Sequence, residues 1–292
     1  MGRVVSGLAY NMIFSFTSLG GDTENSVRAS GGPQMFQIHG ENYHRIGSLK
    51  PDNDIPPKFM QSYIVDTKNE VDNKSEVLCD IVLILVTVLN LTYLILNSNG
   101  VNANKYKKKE LRKKIIDVVI KLLNSINPYV SHLRTARDMF NANPEETLHM
   151  RIVSKRKKDG RVYNVPTSSE VAMLIPGDFT IDMQSRDIVV QDKSGKLQRI
   201  SEILPCYLPL QYPLLFPYGE DGFRTCIEKH QTGSGKKTKN KCISIRPWFA
   251  FRIHERKHEK HILLRSRRLW QQFLVHSYTA IESNRLGYIK LN

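Results

Sequence analysis

The chemistry-bearing residues of this 292-residue chain are notable for the pairings they fail to make. The histidines stand at positions 39, 44, 132, 149, 230, 254, 258, 261 and 276. No two are two residues apart, so a His-hydrophobic-His metal pair is absent. His254, His258 and His261 follow the i, i+4, i+7 spacing of one helix face, and with Cys226 and Cys242 they raise the question of zinc. Zinc fingers want close cysteine pairs, and these two are sixteen residues apart. The same histidines stand among Arg252, Arg256, Lys257 and Lys260, which reads more simply as a solvated basic face. None of the 12 tyrosines lie four apart, so no pair sits one helical turn apart for nucleophilic attack. A phosphate loop needs G-x-x-x-x-G-K-[ST]. The nearest string, Thr232-Gly233-Ser234-Gly235-Lys236-Lys237-Thr238, has His230 at the leading glycine position and Lys237 where a hydroxyl should reach magnesium. A flexible basic loop is expected there. No Ser/His/Asp or Cys/His arrangement, and no pair of carboxylates, declares itself by spacing. No catalytic residue, metal ligand or cofactor site is expected in this chain.

What remains is binding chemistry. The formal net charge is +15, and it is uneven. Residues 105–161 hold 16 basic and 6 acidic residues, and residues 226–292 hold 15 and 4. Two basic blocks therefore carry the whole excess, which is the electrostatic footprint of a partner such as nucleic acid. In the first block the run Lys155, Arg156, Lys157 and Lys158 is the candidate contact. In the second, Arg265, Arg267 and Arg268 stand beside Trp270, Phe273 and Tyr278. Arginines on phosphates and aromatics under bases hold single strands without reading sequence. Leu269, Trp270, Phe273, Leu274 and Ser277 also fall at helical spacing, so Trp270 and Phe273 are expected in the core, leaving the arginines for the backbone. Four isolated cysteines give no disulfide framework and fit a reducing compartment. Early in the chain, His44 and Arg45 are the strongest polar candidates, with a buried turn histidine and a structural salt bridge as the plainer expectation.

The elements that must position these groups centre on residues 204–223, LPCYLPLQYPLLFPYGEDGF. Pro205, Pro209, Pro213 and Pro217 recur every fourth residue and exclude a continuous helix or a central strand. Leucines, tyrosines and Phe216 fill the gaps, so the segment is too apolar for a solvated linker. An extended belt pinned against a core and stopped by Gly219-Glu220-Asp221-Gly222 is expected. This belt closely resembles one in the helicase-like proteins of Helitron-type transposons. Further blocks agree in the same order: Phe14–Ser18 with Gly20-Gly21, Gly40–Leu49, Tyr63–Thr67 with Asn69-Glu70-Val71, Asn127–Val130 with Arg134–Asp138, Gly160–Thr167 and Arg267–Val275. The resemblance covers roughly residues 10–79 and 106–292. It implies a parent protein with a rolling-circle nuclease and a DNA helicase, served by ATP and a divalent metal. It also implies that both engines lie beyond Asn292. On that basis this chain is expected to be a non-catalytic region that grips DNA, single strands included, or docks onto the downstream nuclease and helicase domains, in an intracellular, nuclear setting.

The organisation expected from the chain is α+β: small antiparallel sheets, a helical insert and a helical C-terminal tail. Residues 1–79 read as the N-terminal family region, with strands and turns over 10–65. Residues 80–105 form an apolar insertion, 106–145 a helical segment, 146–245 hairpins plus the belt, and 246–292 a basic helical start of the helicase-like domain. Ile81–Leu96 is 16 residues including Asn90, short of the roughly 20 needed to span a bilayer. Foreign sequence is the preferred account of this run, with a core strand or helix and a membrane segment as alternatives. No membrane partner is expected. Lys107–Ile126 is expected as a helix with Ile115, Val118, Val119, Leu122 and Ile126 as its apolar stripe, ended by Asn127-Pro128, with a second helix through Phe140. Hairpins are expected at His149–Val153 with Arg161–Val165 and at Asp187–Gln191 with Lys196–Ile200. Thr167-x-x-Glu170 is expected to cap a short helix, Val171–Ile175. Two helices, about 247–260 and 263–286, close the chain.

Overall fold

The junction Asn127-Pro128 shows how this chain punctuates itself. Asn127 closes one helix and caps the next: its side-chain oxygen accepts from the amides of Tyr129 and Val130, and Pro128 takes the first helical position, where a missing N–H costs nothing. The structure, a computed structural model, describes residues 7–20, 22–24, 37–39, 43–51, 56–87, 102–144, 147–153, 172–176, 188–190, 198–225, 227–228, 242–256 and 262–291. The fold is α+β. Its helices are α1 (Gly7–Phe14), α2 (Glu70–Thr87), α3 (Asn102–Ile126), α4 (Pro128–Ala142), α5 (Tyr207–Gln211), α6 (Ile245–Ile253), α7 (Ile262–Arg265) and α8 (Arg268–Leu291). The strands are β1 (Ser18–Leu19), β2 (Asp22–Glu24), β3 (Gln37–His39), β4 (His44–Ile46), β5 (Leu148–Ile152), β6 (Ala172–Pro176), β7 (Ile188–Val190), β8 (Gln198–Ile200), β9 (Ile227–Glu228) and β10 (Cys242–Ile243). They build two three-stranded sheets, ordered β1-β4-β8 and β6-β5-β7, and two ribbons, β2-β3 and β9-β10, all antiparallel.

One hydrophobic core threads these elements together. Phe14 and Phe16 from α1 and its exit, Ile46 of β4, Tyr63, Leu133 of α4, Leu208 and Tyr212 of the belt, and Phe273 of α8 are all buried in it. The two ends of the chain meet: α1 packs on α2 and on α8. The belt is buried as expected, but it is not extended. It turns repeatedly and includes the short helix α5 with Pro209 at its third position. Pro209 is tolerated because the first turn of a helix has no intrahelical acceptor for its amides. The turn ends on Gly219, whose φ of +62° belongs to the left-handed region, with its backbone against Pro128 and Tyr129.

Several expected elements differ. Residues 10–14 are helical, within α1, rather than strand and turn. Ile81–Thr87 continue helix α2, so the strand alternative fails for them; β-branched content yields where a helix already anchored by buried Glu70, Lys74, Ser75 and Leu78 propagates through it. The Lys107–Ile126 helix is present but rotated: Ile116 and Leu123 are buried, Val119 and Ile120 half-buried, whereas Ile115, Val118 and Leu122 are exposed. The true stripe is Ile116, Val119, Ile120, Leu123, one residue along from the expected one. Residues 172–175 form strand β6, not a capped helix, because five residues are too few to nucleate a helix when the β5 ladder offers pairing along their full length. β7 and β8 do not form one hairpin. β7 joins β5 and β8 joins β4 in different sheets, bridged by the Gln198 side-chain amide donating to the Val189 carbonyl at 2.6 Å. Residues 161–165 and 167–170 lie outside the described residues. The closing helices break at other points: α6 stops at Ile253, and Arg267 at φ +54° separates α7 from α8.

Two glycines separate backbone strain from helix entropy. Gly219→Ala would carry a Cβ 2.9 Å from the Pro128 ring on a left-handed backbone. It is expected to cost about 1–3 kcal/mol in chemical denaturation. Gly287→Ala, inside α8 with open space around the added methyl, is expected to stabilise by about 0.5–1 kcal/mol in the same measurement.

Candidate nucleic-acid interface and the buried polar clusters

Helix α8 carries His276 into the core one turn after Phe273. Its Nε2 lies 2.6 Å from the Tyr207 hydroxyl and its Nδ1 3.0 Å from the Tyr212 hydroxyl, so the ring bridges the two ends of α5. A neutral imidazole fits this place, donating to one phenol and accepting from the other. An imidazolium would donate to both and leave the phenol that had donated to it without this acceptor. Burial pulls His276 down to about 3 and pushes both phenols up, Tyr207 with help from Glu202 and Tyr212 with help from Tyr207. His44, from β4, stacks on Tyr207 with centroids 4.0 Å apart. Its Nδ1 donates to the Tyr207 carbonyl at 3.2 Å, which leaves Nε2 as a buried lone pair without a hydrogen-bond partner. Burial first, and the neighbouring His276 second, hold it well below the ordinary histidine value. All four rings are enclosed. The cluster is a neutral relay with no solvent-facing member, and what it supplies is cohesion between α8, the belt and β4.

A second cluster is ionic. Arg134 of α4 donates to Glu70 Oε2 at 2.6 Å, to the Tyr63 carbonyl at 2.8 Å and to Asn124 Oδ1 at 2.9 Å. Lys74, one turn after Glu70, donates to the Ile13 carbonyl at 3.0 Å and to Ser62 Oγ at 2.8 Å, and lies 3.7 Å from Glu70 Oε1. Burial lowers Lys74 to about 8 against the pull of Glu70. Tyr63 caps the group, its hydroxyl donating to the Phe14 carbonyl at 2.8 Å. These side chains tie α1, α2 and α4 to the 3-10 turn Phe59–Tyr63; Glu70, Lys74 and Tyr63 are buried, and Arg134 closes the cluster towards the surface.

The surface cations are placed as follows. Arg265 ends α7 and Arg267 sits in the left-handed break, both exposed; Arg268 opens α8 half-buried. The three share one corner. Lys155, Arg156, Lys157 and Lys158 lie outside the described residues. Phe273 is core, packed against Tyr212, Phe216 and Phe249, and Trp270 stacks on it half-buried. Tyr278, 64% exposed, is the aromatic of that trio left facing solvent. His254 lies just past the end of α6, so it does not share a helix face with downstream residues; His258 and His261 lie outside the described residues.

Sequence reasoning missed a further basic row. On the outer face of the β1-β4-β8 sheet, Ser18, Arg45 and Arg199 stand in register. Like charges directly opposite on adjacent strands repel. Here the Tyr43 ring intervenes, 4.5 Å from the Arg45 guanidinium and 5.3 Å from that of Arg199, with its hydroxyl accepting from Arg45 at 2.6 Å. Gly20 makes room for that ring: a methyl there would fall 2.3 Å from it. The expected salt bridge of Arg45 is not what holds it; among the described residues no carboxylate pairs with it. The signal that could have found this row was the alternation His44-Arg45-Ile46, which puts the arginine on the opposite face from two core residues.

Among the described residues no three His, Cys, Asp or Glu side chains converge as a metal site, and no described helix is long and apolar enough to cross a membrane. No protein-family model, curated protein or solved structure matches the chain.

Both buried clusters give measurable expectations. Folded His276 and His44 resist protonation, while the unfolded chain takes up those protons near 6.5. Their contribution is therefore complete above about pH 6.5 and lost as pH falls below it, that of His276 progressively towards about 3. His276→Gln is expected to cost about 1–3 kcal/mol at pH 7 through an unmatched phenol. It should also flatten the pH dependence of urea stability below 6.5 by up to about 1.4 kcal/mol per pH unit. In the ionic cluster Glu70→Gln strands the buried Lys74 and the partly buried Arg134 and is expected to cost about 3–5 kcal/mol. Lys74→Met leaves the Glu70–Arg134 pair intact and should cost clearly less in the same denaturation series.

Proposed function

We propose that this chain is a non-catalytic nucleic-acid-gripping region of a Helitron-type rolling-circle transposition protein, acting beside a nuclease and helicase supplied elsewhere. The observation that carries the reading is the separation of its ionisable groups. Described histidines, tyrosines and lysines with strongly shifted protonation are sealed in the core, each committed to a structural partner. Among the described residues, exposed arginines stand instead at the α7–α8 corner (Arg265, Arg267) and on the outer face of the β1-β4-β8 sheet (Arg45, Arg199). Exposed arginines without base-reading geometry favour backbone contact, so binding is weak, indifferent to sequence and salt-sensitive.

A docking role has its own support. Leu286, Tyr288 and Ile289 near the end of α8, and Ile115, Val118 and Leu122 along α3, leave apolar side chains exposed. A contiguous apolar patch built from such residues is the kind of surface that marks an interaction site.

Fluorescence anisotropy with a labelled oligo-dT separates the two roles. The gripping role predicts binding at 50 mM salt that weakens by orders of magnitude at 200 mM. Arg265→Ala, Arg267→Ala and Arg268→Ala together should reduce the salt slope by about 0.7 for each phosphate left without its arginine. No binding at 50 mM salt, or binding that ignores salt, would contradict it. A chain that ignores DNA yet associates with the purified downstream nuclease and helicase domains would favour docking.

A further inference from the structure

The backbone is strained at one aromatic on the surface. Phe59 has φ +52°, a conformation that bulky side chains avoid, and the residue is 39% exposed. Backbone outliers of this kind cluster at sites where a ligand is clamped. Phe59 stands on the rim of a groove of about 230 Å³, lined also by Phe16, Ser18, Arg45, Ser48, Lys58 and Gln61. The groove lies beside the outer face of the β1-β4-β8 sheet, where Arg45 of the central strand stands in register with Arg199. Its floor is rigid. The Gln61 amide donates to the carbonyls of Ser48 and Lys50, at 3.2 Å each, and Ser48 Oγ donates to the Lys50 carbonyl at 2.6 Å. Among the described residues no carboxylate neutralises Arg45 or the Lys58 ammonium.

The contents of this groove define its ligand. The Ser18 and Ser48 hydroxyls are spent on the Arg45 and Lys50 carbonyls, so two cations at the edge and an exposed ring remain, and these call for a planar apolar group joined to an anion. The volume is below the roughly 300–1,000 Å³ of pockets that enclose a whole small molecule. It takes one unit of a polymer while the neighbours continue across the sheet, past Arg199 and Tyr43. A duplex keeps its bases stacked on one another and offers no free face to Phe59. We infer that this groove is a binding site for one nucleotide of single-stranded DNA, with the base stacked on Phe59 and the flanking phosphates held by Arg45 and Lys58. The site rests on the nucleic-acid-gripping function and gives it a second anchor, distinct from the α7–α8 corner. The left-handed backbone at residue 59 lifts the ring out of the core to meet the base.

The test is oligo-dT anisotropy on the full chain. Phe59→Ala should weaken binding roughly 5- to 150-fold with little change in salt slope, the mark of missing base stacking. Arg45→Ala with Lys58→Ala should lower the salt slope by about 1.4, the mark of two phosphates no longer neutralised. Phe59→Trp should retain affinity. Phe59→Asn tolerates the left-handed backbone; it is expected to fold at least as stably as the parent and still to bind weakly, which separates stacking from stability. A duplex of equal length should bind more weakly than the single strand at matched salt. Wild-type chain that fails to bind oligo-dT at low salt would sink the gripping function itself. Binding that survives Phe59→Asn and the Arg45, Lys58 pair unchanged, while the Arg265, Arg267, Arg268 triple abolishes it, would overturn this groove and leave the function standing. Duplex binding equal to single-strand binding would also overturn it.

Discussion

The structure depends on satisfying the carbonyls of a segment that has given up donors. Each proline of the 205–217 run removes one N–H, so the belt carries more acceptors than it can pair within itself. The surrounding elements supply the difference. Asn11 of α1 donates to the Gln211 carbonyl, the Phe16 amide to Leu210, His44 of β4 to Tyr207, and Asn127, the cap of α4, to Pro217. The Gly222 amide returns to Pro205 and closes the belt on itself. Each such bond contributes about 0.5–1.5 kcal/mol net, but leaving a buried acceptor unmet costs about 1–3 kcal/mol. The belt is therefore a hub that specifies where α1, β4 and α4 must sit, and His276 fastens α8 to it from the other side.

This arrangement explains why polar residues in the interior do not amount to an active site. His276, Tyr207 and Tyr212 share hydrogen bonds among themselves, and Glu70, Arg134 and Lys74 share charge, all buried except the partly exposed Arg134. A catalytic group needs both a perturbed protonation state and access to a reacting atom. His276, Tyr207, Tyr212 and Lys74 have the first without the second. Arg45, Arg199, Arg265 and Arg267 at the surface have access, as the proposed gripping role requires. The groove beside Phe59 joins the two halves of the molecule: its floor is braced by Gln61 and Ser48, and its rim is charged.

How much of this could be read from the chain varies with the physics involved. The α3–α4 junction was legible because Asn-Pro acts through local geometry, and α3 itself through periodicity. Its stripe was misplaced by one residue because the 111–126 segment is apolar on two adjacent faces, and only packing decides which is buried. The burial of the belt was legible from its composition. Its turns and the short helix α5 were not, since a proline in a first turn is permitted although the same proline one turn later is not. β6 was mistaken for a capped helix because strand pairing with β5 is a long-range fact. For the same reason β7 and β8 were joined in one hairpin although they serve different sheets. Of the site, Arg265, Arg267 and Arg268 were legible as charge. Phe59 and Lys58 were not, because backbone strain at Phe59 leaves no mark in the sequence.

Histidine side-chain NMR tests the hub most directly. If His276 is locked between the two phenols of the belt, its ring nitrogens will show one fixed tautomer and no titration between pH 7 and pH 4.5 in the folded chain. An imidazole that titrates near 6.5 with averaged tautomers while the protein remains folded would mean that α8 is not fastened to the belt, and the account of a sealed, structural interior would fail with it.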